Sequence, residues 1–211
     1  VQAVVSIGSY PYYDHQGSFW VTGDCDTIWA GTRYTPAGDS IVIDSGTTVW
    51  GGVTISSAGY RLENSGIITG PGRNLDNTYR SDAVEFELGG TLINLGTIEG
   101  AEAAISAIRT ASGDDRLVNR GQIAGDVELA AGDDEVLMQG GSLFGNLDGG
   151  DGEDSLEIDA GNGSFAAFGD ILNFESMEVA TGGALLNGRV QGSVAVMAEA
   201  VLGGEPTIYG D

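Results

Sequence analysis

The sequence contains no lysine, and its 8 basic residues are all arginines, set against 31 aspartates and glutamates. The formal net charge is −23. A surface this acidic repels phosphate backbones and anionic lipids, so the composition argues against nucleic acid as a partner. The same charge would keep a secreted protein soluble, and it would attract divalent cations or basic surfaces.

Cysteine and histidine are almost absent as well. Cys25 is the only cysteine, so no intrachain disulfide can form. With His15 as the only histidine, neither a zinc site nor a serine–histidine triad is expected. The apolar runs are short and interrupted by glycine and charge, so no membrane-spanning helix is predicted.

Glycine is plentiful, with 36 residues against 4 prolines. The glycines follow no Gly-X-Y period, which excludes collagen. Hydrophobic residues make up 41% of the chain, enough to argue against wholesale disorder. This composition suits a chain that turns every few residues, because each corner can require a positive φ.

Two short phrases recur along the chain. The first occurs at residues 113–117 (GDDRL), 132–136 (GDDEV) and 152–156 (GEDSL), so that its copies start 19 and then 20 residues apart. The second occurs at 64–70 (NSGIITG), 94–100 (NLGTIEG), 119–125 (NRGQIAG) and, as an echo, 139–145 (QGGSLFG). A repeat of about 20 residues written in glycine, aspartate and single aliphatics predicts an all-β fold, a parallel β-helix (β-solenoid).

Stacking of these coils would bring equivalent residues into columns. We expect Ile68, Ile98, Ile123 and Leu143 to form one buried aliphatic column, with backbones about 4.8 Å apart. The asparagine of the second phrase is expected to occupy a left-handed corner and to bond the coils above and below.

Two regions are predicted. Residues 1–39 show no repeat and are rich in aromatic residues, which indicates an N-terminal cap. Residues 40–211 are predicted to form the β-helix, which we expect to be truncated at its C-terminus.

An alternative interpretation of residues 1–39 is that their aromatic residues form a platform for sugar rings. The candidate ligand-binding residues are Tyr12, Tyr13, Trp20 and Trp29.

The Gly-Asp-Asp turns are also candidate calcium sites. Residues 149–157 (GGDGEDSLE) resemble the calcium-binding nonapeptide of repeats-in-toxin proteins. Calcium takes six to eight oxygen ligands, which a glycine turn can supply from carbonyls and carboxylates. The candidate ligands are Asp115, Asp134, Asp151 and Asp154. The alternative interpretation is a purely structural turn, with the aspartates stacked at the coil spacing.

The alternation of both phrases resembles the passenger regions of Gram-negative autotransporters, as does the stretch 170–179 (DILNFESMEV) followed by 182–185 (GGAL). The resemblance covers residues 40–211. It implies a right-handed helix, secretion to the cell surface, and a C-terminal translocator as the only membrane attachment. The expected function is a non-enzymatic adhesin or rigid display stalk that meets a receptor or glycan, with self-association through an open C-terminal coil as a further possibility.

The rival class is a polysaccharide-degrading β-helix enzyme. Glu85 and Glu87 alternate along residues 83–88, which would place both carboxylates on one strand face about 7 Å apart. The alternative is a solvated outer face with Val84, Phe86 and Leu88 inside.

Overall fold

The computed structural model describes residues 40–50, 52–55, 58–70, 82–100 and 108–209, together with the backbone of four short strands in the first 39 residues. Every regular element in these ranges is a strand. None of the described residues therefore forms a helix able to cross a membrane. In chain order the strands are β1 (Val5–Ile7), β2 (Phe19–Val21), β3 (Thr27–Ile28), β4 (Thr32–Tyr34), β5 (Ser40–Ile43), β6 (Thr48–Trp50), β7 (Val53–Ile55), β8 (Tyr60–Asn64), β9 (Ile67–Thr69), β10 (Val84–Phe86), β11 (Gly90–Asn94), β12 (Thr97–Glu99), β13 (Ile108–Thr110), β14 (Arg116–Asn119), β15 (Gln122–Ala124), β16 (Val127–Glu128), β17 (Glu135–Met138), β18 (Gly141–Phe144), β19 (Leu147–Asp148), β20 (Ser155–Ala167), β21 (Ile171–Leu172), β22 (Ser176–Leu186), β23 (Arg189–Gln191), β24 (Val194–Val196), β25 (Val201–Gly204) and β26 (Thr207–Tyr209).

From β5 onward the strands stack in parallel on three faces. Face 1 contains β5, β8, β11, β14, β17, the first parts of β20 and β22, and β24. Face 2 contains β6, β9, β12, β15, β18, the last parts of β20 and β22, and β25. Face 3 contains β7, β10, β13, β16, β19, β21, β23 and β26. The predicted all-β solenoid is confirmed, with about seven turns of about 21 residues; its right-handed sense stays a prediction.

The four strands of the first 39 residues lie at the start of this stack. β2 and β3 pair in parallel with β5 and β6, and β1 pairs antiparallel with β7 and with β4. The predicted cap segment therefore contributes a strand to the edge of the first coil on each of the three faces.

A continuous apolar core runs through the coils because every second residue of each strand points inward. Ile68, Ile98, Ile123 and Leu143 are in register on face 2 and fully buried, which confirms the predicted column. Parallel columns line the inside of the other faces, so each coil buries its aliphatic side chains against the coils on either side of it. Full burial of such a side chain is worth about 1.5–3 kcal/mol.

The asparagines of the second phrase form a buried ladder. Asn64 donates from Nδ2 to Oδ1 of Asn94 over 2.9 Å, and Asn94 donates to Asn119 in the same way over 2.9 Å. The expected left-handed conformation is wrong. Among the non-glycine residues that the structure describes, only Ala130 and Asn173 have positive φ. The three asparagines instead end face 1 strands with their side chains inside the coil.

The glycines two residues after these asparagines, and Gly141 two residues after Gln139, lie too close to the preceding coil to carry a side chain. Gly66, Gly96, Gly121 and Gly141 stack above one another, and a Cβ added to any of them would collide with a backbone carbonyl oxygen of the preceding coil. Of the four, Gly141 alone has a positive φ, 74°. The other three glycines are therefore required for space and not for a positive φ.

Candidate functional site

The Gly-Asp-Asp turns stack at the corner where face 3 leads into face 1, and their second acidic residues form an inner column. Oδ1 of Asp115 accepts the N–H of Gly90 over 2.7 Å, and Oδ1 of Asp134 accepts the N–H of Asp115 over 2.7 Å. Oδ1 of Asp154 accepts the N–H of Asp134 over 2.8 Å. Glu175 ends the column by accepting the N–H of Asp154 over 2.7 Å. Each carboxylate thus bonds the backbone of the coil before it.

The second oxygen of each inner aspartate has no partner. Oδ2 of Asp115, Asp134 and Asp154 is buried without a hydrogen bond. Burial raises the pKa of Asp115 to about 6 and that of Asp134 to about 7, because the charged form loses its hydration. Burial likewise raises the pKa of Asp154. The column therefore favours protonated carboxyl groups more than an exposed turn does.

The first acidic residues of the same turns form an outer column with the opposite direction of bonding. Oδ1 of Asp114 accepts the N–H of Asp133 over 3.0 Å, and Oδ1 of Asp133 accepts the N–H of Glu153 over 3.1 Å. Here each carboxylate bonds the backbone of the coil after it, at the solvent-exposed edge of the corner. The two columns hold neighbouring turns together from both sides.

The four predicted calcium ligands do not converge on one point. Asp115, Asp134 and Asp154 lie in the inner column at the coil spacing, whereas Asp151 lies on an exposed turn. There Asp151 makes a backbone bridge to Ala131. In the part of the chain that the structure describes, no group of three or more acidic, histidine or cysteine side chains is placed to hold a metal ion. The calcium site gains no support from this geometry and stays a prediction.

A surface groove of about 530 Å³ runs over the same corner. Its glycine floor includes Gly59, Gly89 and Gly113. Arg116 and Glu135, which form an ion pair between neighbouring coils, lie along it. The groove is shallow and acidic, with this one arginine paired, so it offers no free cation for an anionic ligand.

A third polar column marks the corner between faces 2 and 3. Oδ1 of Asp126 accepts the N–H of Asn146 over 2.7 Å, and Oδ1 of Asn146 accepts the N–H of Asp170 over 2.9 Å. Asp170 in turn accepts the N–H of Arg189 over 2.8 Å and pairs with its guanidinium. Carboxylate and amide are interchangeable here, since both offer the oxygen that a backbone N–H requires.

The carboxylates on face 3 surround an arginine. Arg109 Nε lies 3.0 Å from Oδ2 of the buried Asp82 and 3.9 Å from Oε2 of Glu128. Glu85 lies beside Arg109 in the register of the sheet. Burial raises the pKa of Asp82, and this outweighs the lowering by Arg109.

The predicted pair of Glu85 and Glu87 is only partly supported. Glu85 lies in β10 and accepts a 3.4 Å bond from Thr54, whereas Glu87 follows the end of the strand and is exposed. Val84 and Phe86 are buried as expected, but Leu88 is 48% exposed, so its inward placement is wrong. β10 ends at Phe86, so the alternation of inward and outward side chains does not continue to Leu88.

The side chains of the predicted aromatic platform lie outside the part of the chain that the structure describes. Tyr12, Tyr13 and Trp29 lie outside the described residues, and of Trp20 only the backbone in β2 is described.

Sequence reasoning missed Glu175 and an aromatic pair. Glu175 is the equivalent of Asp154, and the serine that follows each of them gives the signal, because Ser155 and Ser176 pair in register.

Phe144 and Phe168 stack with ring centroids 4.8 Å apart and planes 1° from parallel. Each precedes a glycine, and that recurring Phe-Gly dipeptide was the available clue.

The fold defines the chain as a parallel β-solenoid protein with polar ladders at its corners. Comparison with models of protein families, with curated proteins and with solved structures finds no match to this chain.

Proposed function

We propose that this chain is a non-enzymatic module of a bacterial cell-surface protein, a rigid display stalk or adhesin of the autotransporter-passenger kind. In this proposal the coils supply length and stiffness, and the protein meets a receptor or glycan outside a Gram-negative cell. Attachment to the membrane would come from a translocator elsewhere in the full protein.

The observation that supports the proposal is the use of the corner side chains. The inner and outer acidic columns, the asparagine ladder and the Asp126 column all bond one coil to the next. The polar side chains of these columns are engaged in hydrogen bonds between neighbouring coils. A chain built this way resists bending and separation of its coils, which is what a stalk requires.

Insertion of whole coils tests the stalk. Two further copies of residues 113–131 placed after Ala131 should fold, because each new coil repeats the contacts of its neighbours. Small-angle scattering should then show a maximum dimension about 10 Å longer, two coil spacings. Loss of the cooperative unfolding transition on insertion would contradict the proposal.

In a parallel screen of neutral and acidic glycans, release of product would contradict the non-enzymatic role.

A second candidate, a polysaccharide-degrading enzyme, is favoured by the cluster on face 3. A buried carboxyl with a raised pKa, Asp82, lies beside an arginine and two further carboxylates, Glu85 and Glu128. A protonated carboxyl can act as a general acid at a glycosidic oxygen, and a second carboxylate can act as the base. If the glycan screen gives product, Asp82→Asn should abolish it, while the surface change Glu157→Gln on face 1 should not.

A further inference from the structure

Face 2 carries almost no charge, although the chain as a whole carries −23. Glu99 is the single charged residue in the described strands of this face, and it lies in β12. From β15 to β25 the face is free of charge in those strands. The acidic residues are concentrated at the corners and on the other two faces.

The outer surface of face 2 alternates apolar and uncharged polar groups. Phe144 and Phe168 stack on each other and remain 47% and 49% exposed, and Leu185 in the next coil is 42% exposed. The exposed Gln122 and the half-buried Ser142 precede them on the same face. Exposed aromatic rings remain available to an apolar partner surface, and the amide and hydroxyl can orient hydroxyl groups.

The dimensions of this face suit a slender ligand. Its strands are about three residues wide, about 10 Å, and β9 to β25 extend over six strand spacings, about 29 Å. A second copy bound here would bury about 300 Å² per partner, well below the about 800 Å² of a stable protein interface. The face is therefore too narrow for a dimer and matches a single extended chain lying along the helix axis.

We propose that face 2, centred on Phe144 and Phe168 with Leu185, Gln122 and Ser142, binds a neutral polysaccharide chain. Sugar rings offer apolar C–H faces to the phenylalanines and hydroxyl groups to the amide and hydroxyl side chains. A neutral ligand avoids both repulsion by the acidic chain and the desolvation of a charge on an uncharged surface. The inference rests on the proposed surface role and names a ligand class for it.

Affinity electrophoresis tests the site directly. The whole chain is run in native gels that contain dextran, mannan or cellulose-derived soluble glucan, with polygalacturonate as the acidic comparison. We expect retardation by at least one neutral polymer and none by polygalacturonate. The double variant Phe144→Ser with Phe168→Ser should bind about tenfold more weakly, as for the loss of buried aromatic anchors.

A pair of variants with the same conservative change distinguishes a loss of binding from a folding defect. Gln122→Glu places a carboxylate on face 2 and should weaken binding, whereas Gln191→Glu makes the same change on face 3 and should not. Retardation by no neutral polymer, binding only to polygalacturonate, or equal binding by all variants overturns the proposal. Dimerisation of the wild type that the phenylalanine variants abolish also overturns it, because the occupant is then a second copy. None of these outcomes affects the coil-insertion test, so failure of this site is distinguishable from failure of the stalk.

Discussion

At the scale of single residues, the absence of side chains in the glycine column allows neighbouring coils to approach closely. Gly66, Gly96, Gly121 and Gly141 allow backbone to lie directly on backbone between faces 1 and 2. A methyl group added at any of these glycines would collide with a backbone carbonyl of the coil before it, which cannot move aside as a flexible side chain can.

Gly121→Ala should therefore destabilise the protein by about 1–3 kcal/mol, the usual cost of forcing extra atoms into a packed site. The measurement is the free energy of unfolding in urea. Gly203→Ala is the matched control, because the nearest atom to its added Cβ lies 3.7 Å away and its φ is not positive. Equal stability of the two variants would show that the coils do not approach as closely as described.

The asparagine ladder gives a second prediction for a single residue. Asn94→Leu leaves the amide of Asn64 and the carbonyl of Asn119 without their buried partner, so we expect a loss of about 1–3 kcal/mol. Asn146→Leu removes a comparable bond at an exposed corner, where water can replace it, and should cost less. A larger loss for Asn146→Leu in urea unfolding would contradict the ladder.

The inner aspartates make stability depend on pH. Their pKa values are raised in the folded state, to about 6 for Asp115 and about 7 for Asp134, against about 3.9 in an unfolded chain. The folded state then binds more protons at these sites, so their contribution to stability is fully present below about pH 4 and is lost as the pH rises through about 6 to 7. Asp134→Asn should flatten this fall in urea unfolding measured from pH 4 to 8. A slope unchanged by Asp134→Asn would contradict the burial of this carboxyl group.

At the scale of elements, the turns and strands differ in how far the sequence predicts them. The Gly-Asp-Asp copies lie 19 and 20 residues apart because each opens a new coil, so their spacing predicts both the period and the stacking of Asp115, Asp134 and Asp154. The asparagine phrase predicts the face 2 column for the same reason. In both cases an identical local pattern recurs at the period of the fold.

Elements that break the period were less predictable. β20 and β22 run without interruption from face 1 to face 2, replacing the Asn-x-Gly corner by 13- and 11-residue strands. At these coils the asparagine position holds Ile158 and Val179, so the phrase disappears from the sequence. The stacking of Phe144 on Phe168 depends on this longer coil, because their 24-residue separation departs from the repeat.

The calcium hypothesis is tested at the level of the turn. Because the candidate carboxylates form a column and do not surround one point, we expect calcium or a chelator to leave the thermal midpoint unchanged at pH 8. The measurement is a melting curve with and without each. A rise with calcium that Asp154→Asn abolishes would contradict this expectation and establish the site.

At the scale of the whole molecule, the sequence predicts the architecture better than the surface. Inward positions repeat in type from coil to coil, so the core columns can be read from the pattern. Outward positions vary, and their grouping depends on which residues share a face. The near absence of charge on face 2 and the cluster of Asp82, Glu85, Arg109 and Glu128 therefore become visible only once the register is known.

The central claim is that successive coils lie in parallel register along one axis. In a variant with Cys25 replaced by serine, spin labels are placed at Leu185 and at one of Ile67, Thr97 or Gln122, all in one outward column of face 2. Pulsed electron resonance should give backbone separations of about 24, 19 and 14 Å, decreasing by one coil spacing from each pair to the next. Three equal distances, or an order other than this one, would contradict the account.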